Sequence, residues 1–218
     1  MNTMKKYGLL SIPLILFSWD LLSHFNFQIV LNMIIVLILL AILLKRTTLQ
    51  NIFDWIIGSC FSIYFCFLYM KTIKISFFYS QMNHTTEEIK RMITLSVNLI
   101  PFKGIIDILQ HNPSAFYQVF GNGIMLAPFT FAMLYFKWVI SIRQAIWYSF
   151  LCTVAIEFIQ FIQTCISALF GLGEGRSTDI DDVILNTISA VVGIVCYLLW
   201  CKIENRFSRK IRDDNIPI

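Results

Sequence analysis

Charged side chains are scarce in this sequence: Asp, Glu, Lys and Arg make up 14% of its 218 residues, whereas hydrophobic residues make up 57%. A soluble domain carries about 25% charged residues, so an ordinary soluble fold is excluded. The sequence also lacks a small-residue cleavage site after its first apolar run, and we therefore expect no cleavable signal peptide. Both absences are typical of a polytopic membrane protein.

Motifs of soluble enzymes and metal sites are missing as well. The sequence has no HExxH pair, no G-x-S-x-G turn and no C-x-x-C pair. The segment GLGEG at 171–175 follows no strand pattern, so it does not indicate a dinucleotide-binding loop. The net charge of +4 does not indicate nucleic-acid binding, because basic residues gather beside a membrane span rather than on a soluble face. We expect no cofactor and no nucleic-acid partner.

Long apolar runs are what the sequence does contain. A bilayer core of about 30 Å needs about 20 helical residues to cross it. Six runs come close to that length: Tyr7–Phe25, Phe27–Leu44, Ile52–Met70, Val119–Phe136, Ala145–Ile162 and Ile180–Trp200. The predicted fold class is therefore all-α, a polytopic helical membrane protein with about six transmembrane helices. Residues 7–44 form either two spans or one kinked pair, because the first run contains Pro13, Asp20 and His24.

The basic residues predict the orientation of these spans. If the N-terminus lies in the cytoplasm, the inner segments hold 11 of the 17 Lys and Arg residues: Lys5, Lys6, Lys45, Arg46, Lys137, Arg143, Lys202, Arg206, Arg209, Lys210 and Arg212. An excess of positive charge on short cytoplasmic segments supports this orientation. We therefore predict a multi-pass protein of the cell membrane with both termini in the cytoplasm.

The outer loop between the third and fourth spans, residues 71–118, is too long for a plain connector. Thr85 or Thr86 ahead of Glu88 offers a helix start, and apolar residues follow at helical spacing. Pro101 then disfavours helix at the residue before it. The loop is predicted to contain an amphipathic segment that lies on the outer membrane interface.

Two polar residues interrupt the fifth span. Glu157 and Gln160 lie in its predicted outer half, three residues apart and on one helical face. An ionisable residue at such a depth is a candidate for a functional site. The alternative is a protonated glutamic acid that hydrogen-bonds to a neighbouring helix and only holds the bundle together.

Acidic residues crowd the start of the sixth span, in the stretch GRSTDIDDVILNT at 175–187. Asp179, Asp182 and Asn186 follow at spacings of three and four, so they share one helical face. Small residues continue that face: Ser189, Ala190 and Gly193. A polar stripe that leads into small residues predicts a helix packed inside a bundle, with its carboxylates directed at other helices rather than at lipid.

Arg176 is the nearest counter-charge, able to bind two of these carboxylates or an anion. Thr178 followed by Asp181 fits a capping box, so Asp181 has a purely structural alternative. The predicted topology places eight polar residues at one outer level, as a candidate binding cluster: Asn98, Asn122, Glu157, Gln160, Arg176, Asp179, Asp182 and Asn186.

The motifs NLIPF at 98–102, GNGIMLAPF at 121–129, E-F-I-Q at 157–160 and GRSTDIDDVILNT resemble the VanZ family, named for a teicoplanin-resistance accessory protein. The resemblance covers about residues 95–200 and departs from the family pattern at Thr130 and Ser189, where that family tends to have glycine. It divides the chain into N-terminal transmembrane helices (1–75), a VanZ-like membrane domain (76–201) and a basic cytoplasmic tail (202–218). The matching positions are Asn98, Pro101, Phe102, Asn122, Pro128, Phe129, Glu157, Gln160, Arg176, Asp179, Asp182, Asn186 and Gly193.

Three functions remain open at this point. The resemblance implies a non-enzymatic envelope protein that lowers susceptibility to teicoplanin-type lipoglycopeptides. Its partners would be membrane lipids and either a lipid-linked wall precursor or the antibiotic itself. The second function is an intramembrane enzyme in which Glu157, Asp179 and Asp182 hold a divalent cation and Arg176 binds a phosphate. The third is a structural or transport helix bundle.

Overall fold

The computed structural model describes residues 5–23, 26–76, 85–111, 116–170 and 177–214. A 3-10 helix at Lys6–Leu10 precedes the α-helices of these ranges, which are α1 (Ser11–Ser23), α2 (Phe27–Lys45), α3 (Ile52–Thr72), α4 (Thr86–Leu95), α5 (Lys103–His111), α6 (Phe116–Met125), α7 (Ala127–Tyr135), α8 (Ile142–Phe170) and α9 (Ile180–Asp214). Two short strands, β1 (Val97–Asn98) and β2 (Thr178–Asp179), pair in parallel.

Four of the described helices are long and apolar enough to cross a membrane: α2, α3, α8 and the Ile180–Glu204 part of α9. Many of their apolar side chains lie on the outside of the bundle, as lipid contact requires. Ile38 on α2, for example, is 54% exposed. The prediction of an all-α membrane protein is therefore confirmed, whereas the count of six spans stays a prediction.

The first and fourth predicted spans are composed of shorter elements. In the first, the 3-10 helix at Lys6–Leu10 leads into α1. The second predicted span, α2, begins as a separate helix after Asn26, whose side chain caps it by accepting a hydrogen bond from Gln28 N at 2.9 Å. In the fourth, the helix breaks at Leu126 between α6 and α7. Pro128 explains this break, because proline has no N–H to donate to the preceding turn and its ring clashes there.

The 3-10 helix at Lys6–Leu10, the α2–α3 turn and the α7–α8 turn meet at one end of the bundle. Lys6 is buried there, and its Nζ donates to the carbonyl oxygens of Lys45 at 3.0 Å and Thr47 at 2.9 Å. A lysine in this place satisfies the free carbonyls and negative dipole end of α2. The indole Nε1 of Trp138 donates to Thr47 Oγ1 at 3.1 Å.

Helix α9 lies at the centre of the C-terminal half, in contact with α6, α7 and α8. Its closest approach is at Gly193, where a Cβ atom would lie 2.3 Å from the carbonyl oxygen of Ala127. Ala190, one turn earlier in α9, is fully buried. The predicted stripe of small residues is therefore the surface on which α7 packs.

Candidate functional site

The site is built at the start of α9, where β1 and β2 bring two distant segments together. Thr178 N donates to Ser96 O at 2.7 Å, and the paired register places Asn98 opposite Asp179. The Asn98 side chain then donates to Asp179 Oδ1 at 2.9 Å. The segment between α4 and α5 is thereby fixed against the N-terminus of α9.

Asp181, two residues after Asp179, holds the same segment in place. Its two carboxylate oxygens accept from Phe102 N and from Ile105 N, and the residue is 2% exposed. Phe102 has a φ of 66°, in the left-handed region that residues other than glycine rarely adopt. Asp181 therefore satisfies free amides at the start of α5, as an N-cap would.

The predicted capping box of Thr178 and Asp181 is wrong. Thr178 lies in β2 rather than at the N-cap of α9, and its Oγ1 has no hydrogen-bond partner among the described residues. Asp181 N donates instead to Asp179 Oδ1 at 2.9 Å. Strand pairing takes Thr178 out of the capping position, and Asp179 replaces it.

Two further helices reach the start of α9 through polar side chains. Glu157 on α8 is 5% exposed, and its Oε2 accepts from Asp179 N at 3.0 Å. Asn122 on α6 donates to Asp182 Oδ1. Five of the eight predicted residues thus form two hydrogen-bonded groups around the start of α9, one on Asp179 and one on Asp182. We call these five residues the acid cluster: Asn98, Asn122, Glu157, Asp179 and Asp182.

Gly104 is a member of the site that the sequence reasoning missed. A Cβ atom on it would lie 2.8 Å from Asp179 Oδ2 and 3.1 Å from Asp181 Oδ2. Only glycine lets the first turn of α5 lie this close to both carboxylates without displacing them. Its position two residues after the NLIPF motif was a usable signal, because a glycine within a helix otherwise destabilises it.

Gln160 lies apart from the acid cluster. Its Nε2 donates to Thr72 O at 3.0 Å and so connects α8 to the end of α3. Residues three apart on an α-helix are separated by about 60° around its axis. That angle lets Glu157 contact α9 while Gln160 contacts α3.

Asn186 and Thr153 each lie one helical turn from an acid of the cluster. Asn186 follows Asp182 by four residues and is 1% exposed, and its Oδ1 has no hydrogen-bond partner among the described residues. Thr153 precedes Glu157 by four residues, and its fully buried Oγ1 is equally unpartnered there. An unpaired buried polar group costs about 1–3 kcal/mol, so the Asn186 oxygen and the Thr153 hydroxyl are candidates for ligand contact.

The two departures from the VanZ pattern are accommodated by hydrogen bonds. Ser189 Oγ accepts from Leu126 N at 2.9 Å and donates to Asn186 O at 2.7 Å. The hydroxyls of Thr130 and Ser149 share a hydrogen bond of 2.7 Å. At both positions a hydroxyl therefore links neighbouring segments, and close packing is kept at Gly193.

Arg176 lies outside the described residues, so its pairing with the carboxylates stays a prediction. Among the residues that are described, the hydrogen bonds to Glu157, Asp179, Asp181 and Asp182 come from amide groups. The described part of the chain contains no group of three His, Cys, Asp or Glu side chains placed to hold one metal ion. The three predicted ligands therefore do not converge on a single point.

The fold and the site together define a helical membrane protein whose C-terminal helices gather an acid cluster at one end. The family model described as VanZ/LLP1 matches residues 61–201, and the chain belongs to this family. The match begins within α3, earlier in the chain than the motifs that carry the resemblance. Comparisons with curated proteins and with solved structures find no match.

Proposed function

We propose that this chain is a protein of the bacterial cell envelope that lowers susceptibility to teicoplanin-type lipoglycopeptides without acting as an enzyme. Membership of the VanZ/LLP1 family supports the proposal. The observation that carries it is the joining of Asn98, Asn122, Glu157 and Asp182 around the start of α9, from four separate segments of the chain. Asp179 and Asp182 in this cluster remain partly exposed.

The proposed topology has six spans, with both termini in the cytoplasm. Two spans beyond the four long helices would be the 3-10 helix with α1, and α6 with α7. Lys6, Lys45 and Arg46 share the end of the bundle at which α8 begins, since Trp138 contacts Thr47 there and Tyr148 lines one cavity with Arg46. This agrees with a cytoplasmic location for basic residues. Glu157 follows the start of α8 by 15 residues, about 22 Å along a helix, so the acid cluster would face outward.

Helices α4 and α5 would lie on the outer membrane interface. Thr85 caps α4 in a capping box with Glu88, as the sequence predicted. Large apolar side chains on and between the two helices are exposed, with Leu95 at 75% and Leu99 at 70%. Contact with the headgroup boundary would remove such side chains from water. The domain division at 1–75, 76–201 and 202–218 belongs to the same proposal.

The ligand is expected to bring hydrogen-bond donors or positive charge. Carboxylates dominate the cluster, and the amide oxygen of Asn186 is a buried acceptor without a described partner. An ammonium group or several N–H groups would complement such a surface. Headgroups of membrane lipids, a lipid-linked wall precursor and a lipoglycopeptide antibiotic all offer N–H donors at the outer face.

A scaffold is the second candidate function, and one observation favours it. Asp181 accepts from two backbone amides and Glu157 from a third. Such contacts hold segments together whether or not a ligand binds. The two candidate functions assign different roles to Asp182. Its partner among the described residues is the Asn122 side chain alone.

Expression in a susceptible Gram-positive host tests the resistance function. We expect the inhibitory concentration of teicoplanin to rise, and that of vancomycin, which lacks the acyl tail, to rise less. The control is the same host expressing an unrelated multi-pass protein at equal membrane abundance. Equal shifts for both drugs would indicate a general change of the wall, and no shift for either would refute resistance as the function of this chain.

A further inference from the structure

An apolar groove runs along the bundle between α2, α3, α7 and α8, away from the acid cluster. It is formed by two adjoining cavities of about 540 and 260 Å³. Leu43, Phe129 and Cys152 line both cavities, so the two lie side by side. The groove is large enough to accept a hydrocarbon chain as well as the group attached to it.

The smaller cavity offers hydrocarbon contact only. Two hydroxyl groups line it, and both are engaged elsewhere. Tyr69 OH donates to Asn32 Oδ1 at 2.6 Å, and Thr72 Oγ1 donates to Leu68 O at 2.7 Å. The rest of the lining is largely aliphatic and aromatic, including Ala155 and Ile159. A ligand with polar atoms at this depth would leave them unpaired.

The positively charged side chain of Arg46 lies at the opening of the larger cavity. Arg46 and Tyr148 line it, and both side chains are exposed. Arg46 makes no ion pair or side-chain hydrogen bond with the described residues. The indole of Trp138, also in the lining, is already bonded to Thr47. The open end of the groove therefore offers a guanidinium group, which binds phosphate through two parallel N–H groups.

The length of the groove matches that of one acyl chain. From Tyr148 at the open end to Ile159 at the far end, α8 advances 11 residues, or about 16 Å at 1.5 Å per residue. Half of the hydrocarbon core of a bilayer is about 15 Å thick. A chain anchored at Arg46 would thus end near the level of Glu157, on the side of α8 that faces α2 and α3.

We propose that this groove binds an anionic glycerophospholipid, with its phosphate on Arg46 and one acyl chain along α8 towards Ile159. The lipid comes from the leaflet at the Lys6 and Arg46 end of the bundle, opposite the acid cluster. The proposal requires the helices to span a membrane, and it does not depend on the resistance function. The bound lipid would fill the space between α2 and α3 on one side and α8 on the other.

Native mass spectrometry of the purified full-length chain tests this site. Phosphatidylglycerol or phosphatidylcholine of equal chain length is added to the protein in mild detergent. We expect preferential retention of phosphatidylglycerol by the native chain. Arg46→Gln should lower that retention about tenfold, to the level of phosphatidylcholine, which is the effect of losing one charge-assisted contact. The matched control is Lys45→Gln, next in the chain and outside the lining, which should retain the lipid as the native chain does.

A second pair of variants tests the acyl groove. Ala155→Phe fills the smaller cavity and should abolish retention of both lipids, whereas Val154→Phe, at the neighbouring position outside the lining, should not. Ala155→Leu, with less added volume, should give a partial loss, and melting temperatures in detergent identify any variant that fails to fold. Equal retention of the two lipids by the native chain, or unchanged retention in Arg46→Gln or in a folded Ala155 variant, would overturn the proposal.

Discussion

Single residues at the start of α9 divide into those that hold the fold and those that remain available to a ligand. Asp181 belongs to the first kind, because both of its carboxylate oxygens accept backbone N–H groups at the start of α5. Asp182 belongs to the second, because its described partner is one side chain and it is partly exposed. Adjacent aspartates in one turn therefore have different roles, which their sequence positions alone do not reveal.

Asp181→Asn is expected to destabilise the protein. An asparagine keeps one acceptor oxygen, so one of the two amides at Phe102 and Ile105 loses its partner in a site that is 2% exposed. A buried unsatisfied donor costs about 1–3 kcal/mol. The measurement is thermal unfolding in detergent, beside Asp107→Asn, the same change at an exposed position of α5. A melting temperature equal to that of Asp107→Asn would contradict the assigned role of Asp181.

At the scale of helices, the packing of α7 on α9 is set by one glycine. Gly193→Ala would place a Cβ atom 2.3 Å from Ala127 O and 2.9 Å from Thr130 Cβ. The Ala127 oxygen belongs to the backbone and cannot rotate away, so the two helices must separate. Overpacking of this kind costs about 1–3 kcal/mol or more. We expect a lower melting temperature and lower membrane abundance.

Gly121→Ala on α6 is the matched control for Gly193→Ala. No neighbouring atom lies within 4 Å of a Cβ at Gly121, and alanine favours helix over glycine by about 1 kcal/mol. This variant should be as stable as the native chain or more stable. If Gly193→Ala unfolds at the same temperature as Gly121→Ala, the close packing described here is wrong.

Spacing along a helix predicted part of the site and missed the rest for an identifiable reason. The shared face of Asp182 and Asn186 follows from helical periodicity, and α9 does direct that face into the bundle. Asp179 was predicted on the same helical face, which is wrong because it lies in β2, before α9 begins. The partner of each residue depends instead on contacts between distant segments. Glu157 and Gln160 were therefore assigned to one cluster, although the structure directs Gln160 to α3.

Non-local contacts also explain what the sequence could not predict about the elements. The pairing of β1 with β2 joins residues about 80 positions apart, and nothing in the local pattern around Thr178 indicates a strand. The helix start, by contrast, depends on local capping chemistry, and Thr85 is one of the two starts that the sequence predicted.

For the whole molecule, the central prediction is its orientation in the membrane. A cysteine engineered at Ser177, beside the acid cluster, should react in intact cells with a thiol reagent that does not cross membranes. A cysteine at Ser141, at the start of α8, should react only after permeabilisation. Both positions are exposed in the bundle, so burial does not account for a difference.

The labelling requires a background in which the six native cysteines are changed to serine, since all are free and Cys60 and Cys196 are exposed. The cysteine-free parent is the control for non-specific labelling. Labelling of Ser141→Cys but not Ser177→Cys in intact cells would reverse the topology and place the acid cluster in the cytoplasm.

The most direct test of a ligand-binding acid cluster is the teicoplanin susceptibility of cells that express Asp182→Asn, measured together with membrane abundance. Asparagine can still accept the Asn122 hydrogen bond, so the fold should persist while the negative charge is lost. We predict normal abundance with loss of most of the protection, whereas Asp181→Asn should lose protection in proportion to its abundance. Protection by Asp182→Asn that equals the native level, or that falls only in step with abundance, would contradict a ligand-binding role for the cluster.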